Sequence, residues 1–323
     1  MTVAGKRKSI PRELVGAPDS LVNWNVILFL SSVCLFVCCF CGYSIWNWPR
    51  WIVFWLNFSA LYVLGTVIHD ASHGSAHKIR WVNEAMGHGS ALLQGFVYPV
   101  FKWVHMEHHA NVNDPENDPD HYVSTGGPLW LIPVRFFYHE VFFFKRQLWK
   151  KARYELLAWG LSRLLVVCTF ALALRFGYTD YVLNYWLPPA FIMGLLLGLF
   201  FDYLPHRPFL ETARWYNARV YPSFITNILL LGQNYHLIHH LWPTVPWYKY
   251  QAAYRAAKPI LDEKGCDQSL DIWRNSKEVG SFLYDCVLGL RIGGHGHESA
   301  RPQDEVEQPS DDEVSDRESA SAV

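Results

Sequence analysis

The sequence predicts an all-α integral membrane protein with four transmembrane helices, a re-entrant or interfacial hairpin and a helical cap on the cytoplasmic side. Three observations predict it. Hydrophobic residues make up 51% of the 323 positions, and they come in blocks, not periodic stripes. A bilayer core about 30 Å thick takes roughly 20 apolar residues of helix; runs of about that length occupy Leu21–Trp46, Trp51–His69, Leu156–Phe176 and Tyr181–Leu204. Trp46, Trp48, Trp51, Tyr181 and Trp186 cluster at the ends of these runs, as interfacial aromatic belts do.

Residues 1–20 form a polar basic tail with Lys6, Arg7, Lys8 and Arg12. The first run follows this tail without a small-residue cleavage site, so it reads as a span and not a signal peptide. Cys34, Cys38, Cys39 and Cys41 lie inside it and act as small hydrophobes. The cysteine total is seven, an odd number, and neither a disulfide framework nor a pair of CxxC zinc knuckles is expected. "NWPR" at 47–50 makes a tight hairpin between the first two spans.

The long stretch Asp70–Glu155 carries Lys78, Arg80, Lys102, Arg135, Lys145, Arg146, Lys150, Lys151 and Arg153, whereas "GYTD" between the last two spans has no Lys or Arg. The positive-inside rule therefore assigns the N-terminus, the long stretch and the C-terminal third to the cytoplasm. Met86–Val104 is apolar but short for a span, and Gly87, Gly89, Gly95 and Pro99 weaken a straight helix; it reads as the hairpin. Residues 132–149 mix aromatic and basic side chains like a helix lying on the membrane surface. From Gly293 the chain is acidic, Ser/Pro-rich and free of aromatics, the composition of a disordered tail. The expected organisation is a tail over 1–20, a membrane domain over 21–292 and a second tail over 293–323.

Three histidine clusters fall on the cytoplasmic side. They are HxxxH at His69 and His73, HxxHH at His105, His108 and His109, and HxxHH again at His236, His239 and His240. With 15 histidines in the chain, an HxxHH should arise by chance about 0.03 times, so two copies mark a built feature. Residues three and four apart share a helix face, so each cluster is expected to aim its imidazoles at one point. Eight imidazoles exceed the four positions of one tetrahedral zinc and suit two metal ions. His206 in "FDYLPHRP" is a ninth candidate ligand, with Asp202 one turn before it. Asp70, Glu107, Asp114, Glu116, Asp118 and Asp120 stand nearby in sequence as partners for the outer ring N–H groups. His77 continues the i, i+4 series from His73 as a further outer partner, whereas His88, His121 and His139 are expected to be structural or surface residues and His295 and His297 to be idle in the tail.

Histidine-bound iron with open positions activates O2, and both O2 and apolar substrates concentrate in lipid. A zinc protease would carry HExxH; "HDASH" has the shorter Asp and "HMEHH" has Glu at the wrong spacing. A metal transporter would place its site near the bilayer midplane, not at the ends of spans. No GxGxxG follows a strand, and no flavin fingerprint or fused haem domain is visible, so electrons are expected from a separate carrier docking at the basic loop. No nucleic-acid partner is expected.

The three boxes, with two pairs of spans between them, resemble the membrane fatty-acid desaturase/hydroxylase superfamily. "HDASHGSAH", "HHANVNDPENDPDHYVSTGGPLWLIPVRFFYHEVFFFKR", "FDYLPHRPF" and "NYHLIHHLWPTVPWYKY" are similar to β-carotene hydroxylases of cyanobacterial type, over roughly residues 25–290. The resemblance implies an oxidoreductase of carotenoid biosynthesis, a di-iron monooxygenase (Fe2+/Fe3+) that uses O2 and reduced ferredoxin. It would hydroxylate β-ionone rings at C3, taking β-carotene through β-cryptoxanthin to zeaxanthin, in a plasma or thylakoid membrane. The implied iron ligands are His69, His73, His105, His108, His109, His236, His239 and His240, with His206 matching an extra box that commonly has Asn where Asp202 stands. A carotenoid ketolase or a membrane fatty-acid desaturase shares the same iron core and stays open as an alternative. Gly194, Gly198, Phe191 and Phe200 either line a polyene channel or pack helices, packing being the expectation.

Overall fold

The computed structural model describes residues 9–270 and 275–289, and among these every regular element is helical. Four helices are long and apolar enough to cross a membrane: α1 (Trp24–Ser44), α2 (Arg50–Ser72), α8 (Glu155–Phe176) and α9 (Thr179–His206). Asn23 caps α1, its side chain accepting from the N–H groups of Asn25 and Val26. The α1–α2 turn and the start of α9 meet at one end of the bundle. There Tyr43 donates to Asp180 Oδ2 at 2.6 Å and Asn57 Nδ2 to the Tyr185 carbonyl at 2.7 Å. In the middle, Leu61 of α2 packs with Trp186, Met193 and Leu197 of α9. Helix α8 stays on the outside, with Leu157, Leu164, Val167, Leu172 and Leu174 all exposed along it.

Helix α9 contains two π-helical segments, Val182–Trp186 and Gly198–Tyr203. Pro188 and Pro189 follow the first, and proline has no N–H to complete a regular turn. The second comes directly before His206 and turns that residue to a face a regular helix would not give it.

The expected hairpin is α3 (Arg80–Gln94) and α4 (Tyr98–Ala110), and it begins at Arg80, earlier than the apolar pattern suggests. Gly95 makes the turn at φ 81, in the left-handed region that glycine enters without penalty. Its tip goes deep: Gln94 Nε2 donates to the Leu61 carbonyl at 3.0 Å and Trp186 Nε1 to the Leu93 carbonyl at 2.7 Å. Leu61 lies midway along α2, about 12 Å of helix from His69. Close approach of the two arms depends on Gly87, where a Cβ would sit 2.3 Å from Tyr98 Cζ. The Tyr98 ring cannot withdraw, because its hydroxyl donates to the Ala71 carbonyl at 2.8 Å.

The surface helix expected over 132–149 is broken. α6 (Ile132–Arg135) and α7 (Tyr138–Lys145) follow α5 (Pro119–Thr125), and the chain turns at Gln147, φ 55. The reason is packing: Phe142, Phe143 and Leu148 bury themselves against Val97, Val100 and Val104 of the hairpin, which a straight helix could not do. Phe137 and Val141 point outward instead. Gly198 belongs to this packing too, since a Cβ there would meet Ile132, in line with the helix-packing expectation.

The cap consists of α10 (Phe224–Leu229), α11 (His236–Leu241), α12 (Tyr250–Lys264) and α13 (Ser276–Val287). Its core joins Val220, Leu237, Ile238, Tyr250 and Leu261 to Ile10. Residues 9–20, read as part of the polar basic tail, are seated on this cap. Gly16 N donates to the Thr244 carbonyl at 3.0 Å and Lys249 Nζ to the Glu13 carbonyl at 2.8 Å. Asp70 ties the pieces together, its Oδ2 accepting from Asn25 Nδ2 at 2.8 Å and Trp247 N at 3.1 Å. The start of α1, the end of α2 and the cap therefore share one end of the bundle, opposite the short loops. The tail expected from Gly293 lies outside the described residues.

Candidate metal centre

The nine histidines singled out by spacing gather at that shared end. His69, His73, His105 and His239 form one group and His108, His206, His236 and His240 a second, with the donor atoms of each group within 4.8 Å of one another. His109 adjoins the first group, its Nε2 2.8 Å from His239 Nε2 and 3.2 Å from His105 Nε2. The His109 and His240 rings, 4.5 Å apart between centroids, bring the groups into contact.

The boxes do not each aim at one point. In box two, His105 and His109 face the first group and His108 the second; in box three, His236 and His240 face the second and His239 the first. Successive residues in an α-helix are about 100° apart, so the adjacent pair in HxxHH must diverge. Boxes two and three thus each divide between the two groups, in opposite senses, while His69 and His73 of box one both face the first. His206 supplies the fourth donor of the second group, delivered by the π segment of α9.

The donor set fits metal ions. His206 Nδ1 lies 2.9 Å from the Asn217 carbonyl, an acceptor only, so it carries the proton and Nε2 carries a lone pair. His236 Nδ1 lies 3.1 Å from Gln233 Oε1 with the same consequence. The two Nε2 atoms then face each other at 3.0 Å with no proton between them, an arrangement that a cation resolves. His240 Nε2 is buried without a hydrogen-bond partner. Across the first group, His69 to His239 and His73 to His105 also stand at 3.0 Å. Donors about 2.1 Å from one ion and at right angles lie about 3.0 Å apart, whereas tetrahedral donors spread to about 3.4 Å. Separations of this order suit imidazoles that share a metal ion.

Charge supports this. Burial, reinforced by neighbouring imidazoles, holds His73, His105, His109, His236, His239 and His240 well below the usual imidazole range, neutral and ready to ligate. His108 differs: burial lowers its pKa, but the carboxylates of Asp118 and Asp120 outweigh this and raise it to about 9. A metal ion must displace that proton from Nε2, while Nδ1–H stays on Asp118 Oδ1 at 2.8 Å. Chelator-stripped protein should therefore reload the second group about tenfold more weakly for each pH unit below 9, with a much flatter dependence in the first. Competitive metal titration at pH 7 and pH 8 measures this.

The outer partners sort unevenly. Asp118 is in direct contact with His108. Asp70 lies 3.5 Å from His69 Nδ1, beyond a good hydrogen bond, and its Oδ2 is the structural junction described above. Asp202 is buried and accepts from the Ser124 hydroxyl, outside both four-histidine groups. His77 is placed away from the centre: its Nδ1 accepts from Ile79 N at 3.0 Å and its Nε2 lies 3.1 Å from the Leu21 carbonyl, so its nitrogens join the turn after α2 to the segment before α1. Of the other acidic residues, Glu107 pairs with Lys151 at 3.5 Å and Asp114 binds its own turn. His139, expected to be a structural or surface residue, lies 2.9 Å from Asp120 Oδ1, and the other oxygen of Asp120 lies 3.6 Å from His108 Nδ1. Three contacts were not anticipated: Gln233 on His236, Tyr250 on His239 (3.1 Å), and the Asn217 carbonyl on His206. Gln233 stands three residues before His236, a signal the spacing does contain.

Comparison with known proteins places these features in a family. The Fatty acid desaturase family profile matches residues 45–268, which takes in all nine histidines. "Probable fatty acid desaturase DES1" of Sorghum bicolor is 27% identical over 261 residues, 67% of this chain and 65% of that protein. The chloroplastic "Omega-3 fatty acid desaturase" of Brassica napus is 26% identical over 263 residues, 67% of this chain and 62% of that protein. The chain thus spans less than two thirds of the length of these two. The "sn-1 acyl-lipid omega-3 desaturase (ferredoxin)" of Synechocystis sp. is 25% identical over 267 residues, 71% of this chain and 73% of that protein. All three are named as desaturases; the finer resemblance to carotene hydroxylases has no counterpart among them. The chain belongs to the fatty acid desaturase family.

Proposed function

We propose that this chain is an O2-dependent, histidine-bound di-iron oxidoreductase that removes hydrogen from a saturated carbon of a lipid within the membrane, and that its reaction is acyl-chain desaturation. The observation that carries the metal chemistry is the pair of four-imidazole groups, with His206 Nε2 and His236 Nε2 facing each other at 3.0 Å in the second. The named relatives, two fatty acid desaturases and one acyl-lipid desaturase, support the substrate class. Desaturation converts –CH2–CH2– with O2, two electrons and two protons into –CH=CH– and two waters. Iron held by these imidazoles would supply the O2 reduction that such a C–H bond requires.

The chain's own residues do the rest. Asp118, Gln233, Tyr250 and the Asn217 carbonyl orient the imidazoles. The hairpin closes the membrane side of the site against α2. Electrons come from a ferredoxin-type carrier, the donor named for the Synechocystis relative, approaching the face that bears Lys145, Arg146, Lys150 and Lys151, which we assign to the cytoplasm by its positive charge.

A second reading, β-carotene 3-hydroxylation, draws on the stretch 109–146, which is similar to the carotene hydroxylases. It uses the same O2, electrons and protons to give C–OH and one water. Expression with a ferredoxin and its reductase in a bacterial host that accumulates β-carotene separates the two. New acyl double bonds in extracted lipids are the expected result. β-Cryptoxanthin or zeaxanthin would replace it with the second reading, echinenone would indicate a ketolase, and unchanged lipids and pigments would contradict the proposal.

A further inference from the structure

In the segment "NVNDPENDPD", which leads from α4 into α5, Asp118 already has a role beside His108, whereas Asn113 has none described so far, yet it is buried in an unusual way. Asn113 is 3% exposed and adopts φ 63, a left-handed conformation that Asn tolerates better than most residues. Turn chemistry alone explains an Asn there, but not the bonds it makes. Its backbone N–H donates to Asp118 Oδ2 at 2.8 Å, and its side-chain amide donates to the carbonyls of Asn217 at 2.8 Å and Glu211 at 2.7 Å. Its Oδ1 is buried without a partner, a cost that a simple surface turn would not carry.

Both ends of this arrangement terminate on donors of the second imidazole group. Asp118 uses its other oxygen, Oδ1, to accept from His108 Nδ1 at 2.8 Å. The Asn217 carbonyl accepts from His206 Nδ1 at 2.9 Å. An unbroken path therefore runs from His108 through Asp118, Asn113 and the Asn217 backbone to His206, joining the ligand of α4 to the ligand at the end of α9. The two helices are remote in sequence, and the first group, built on His69, His73, His105 and His239, takes no part in the path.

We infer that Asn113 is a positioning residue for one metal of the pair: it sets the separation and tautomers of His108 and His206 and thereby the affinity of the second group, leaving the first untouched. This rests on the reading that the groups hold iron. Losing an outer partner of a metal ligand weakens binding by about 10- to 100-fold.

The test uses the full chain in lipid nanodiscs, loaded with ferrous iron, desalted, and assayed for iron per chain and by Mössbauer spectroscopy. Asn113→Gly keeps the left-handed backbone but deletes both side-chain bonds; Asn113→Asp keeps the shape and turns a donor toward two carbonyls into an acceptor. Both should fall from about two irons to about one, with one iron signal lost and the other unshifted. Asn217→Ala, which leaves the accepting carbonyl in place, should keep both. Two irons with an unchanged spectrum in the Asn113 variants would overturn the inference. So would equal loss in Asn217→Ala, or loss of both irons together with the folded state in both Asn113 variants. A wild-type chain that binds no iron is a distinct result, and it overturns the metal reading itself.

Discussion

Replacing His239 with Ala should abolish turnover and empty the first imidazole group. His239 is the contribution of box three to that group, and its Nε2 lies 3.0 Å from His69 Nε2 and 2.8 Å from His109 Nε2. It is where the cap meets α2 and α4. Its Nδ1 lies 3.1 Å from the Tyr250 hydroxyl, which orients the ring toward the first group. Deleting a ligand should weaken metal binding by more than the roughly 100-fold that losing an outer partner costs. Iron per chain and product formation in the same preparation measure this; full turnover in the variant would exclude His239 as a ligand. The His236 and His240 pair should retain its ion, since those rings face the other group.

Asp70→Ala should be the most destabilising single change near the site, for a reason only partly connected with metal. The carboxylate is 1% exposed and accepts from Asn25 Nδ2 and Trp247 N, joining α1, α2 and the cap. Its removal strands one buried and one partly buried donor at about 1–3 kcal/mol each, so a loss of about 2–6 kcal/mol is expected. The melting temperature in detergent should drop while iron per folded chain falls far less than in the His239 variant. A variant that melts like wild type but binds no iron would make Asp70 an imidazole partner instead, contrary to its 3.5 Å separation from His69 Nδ1.

Much of this architecture is legible in the residues because each feature depends on local chemistry. Block hydrophobicity locates α1, α2, α8 and α9, and Gly95 with Pro99 locates the hairpin. Repeated HxxHH spacing marks the histidines that converge, and "FDYLPHRP" marks the ninth. What is not legible depends on rotation and on distant partners. The division of each HxxHH between two groups follows from helix phase, which spacing reveals only once both targets are known. The π segment before His206 alters that phase by an amount no sequence pattern records. Asp70 and His77 lie beside box one in sequence, yet their bonds go to Asn25, Trp247, Ile79 and Leu21. The burial of Asn113 comes from Glu211 and Asn217, far along the chain, which no local pattern records. The surface helix over 132–149 fails for the same reason: its Phe142 and Phe143 had a core to enter.

Metal analysis of the purified full-length chain, with X-ray absorption at the metal edge, tests the central claim most directly. The account predicts about two irons per chain, each bound mainly by imidazole nitrogens near 2.1 Å. A single zinc, or iron without nitrogen ligation, would contradict it.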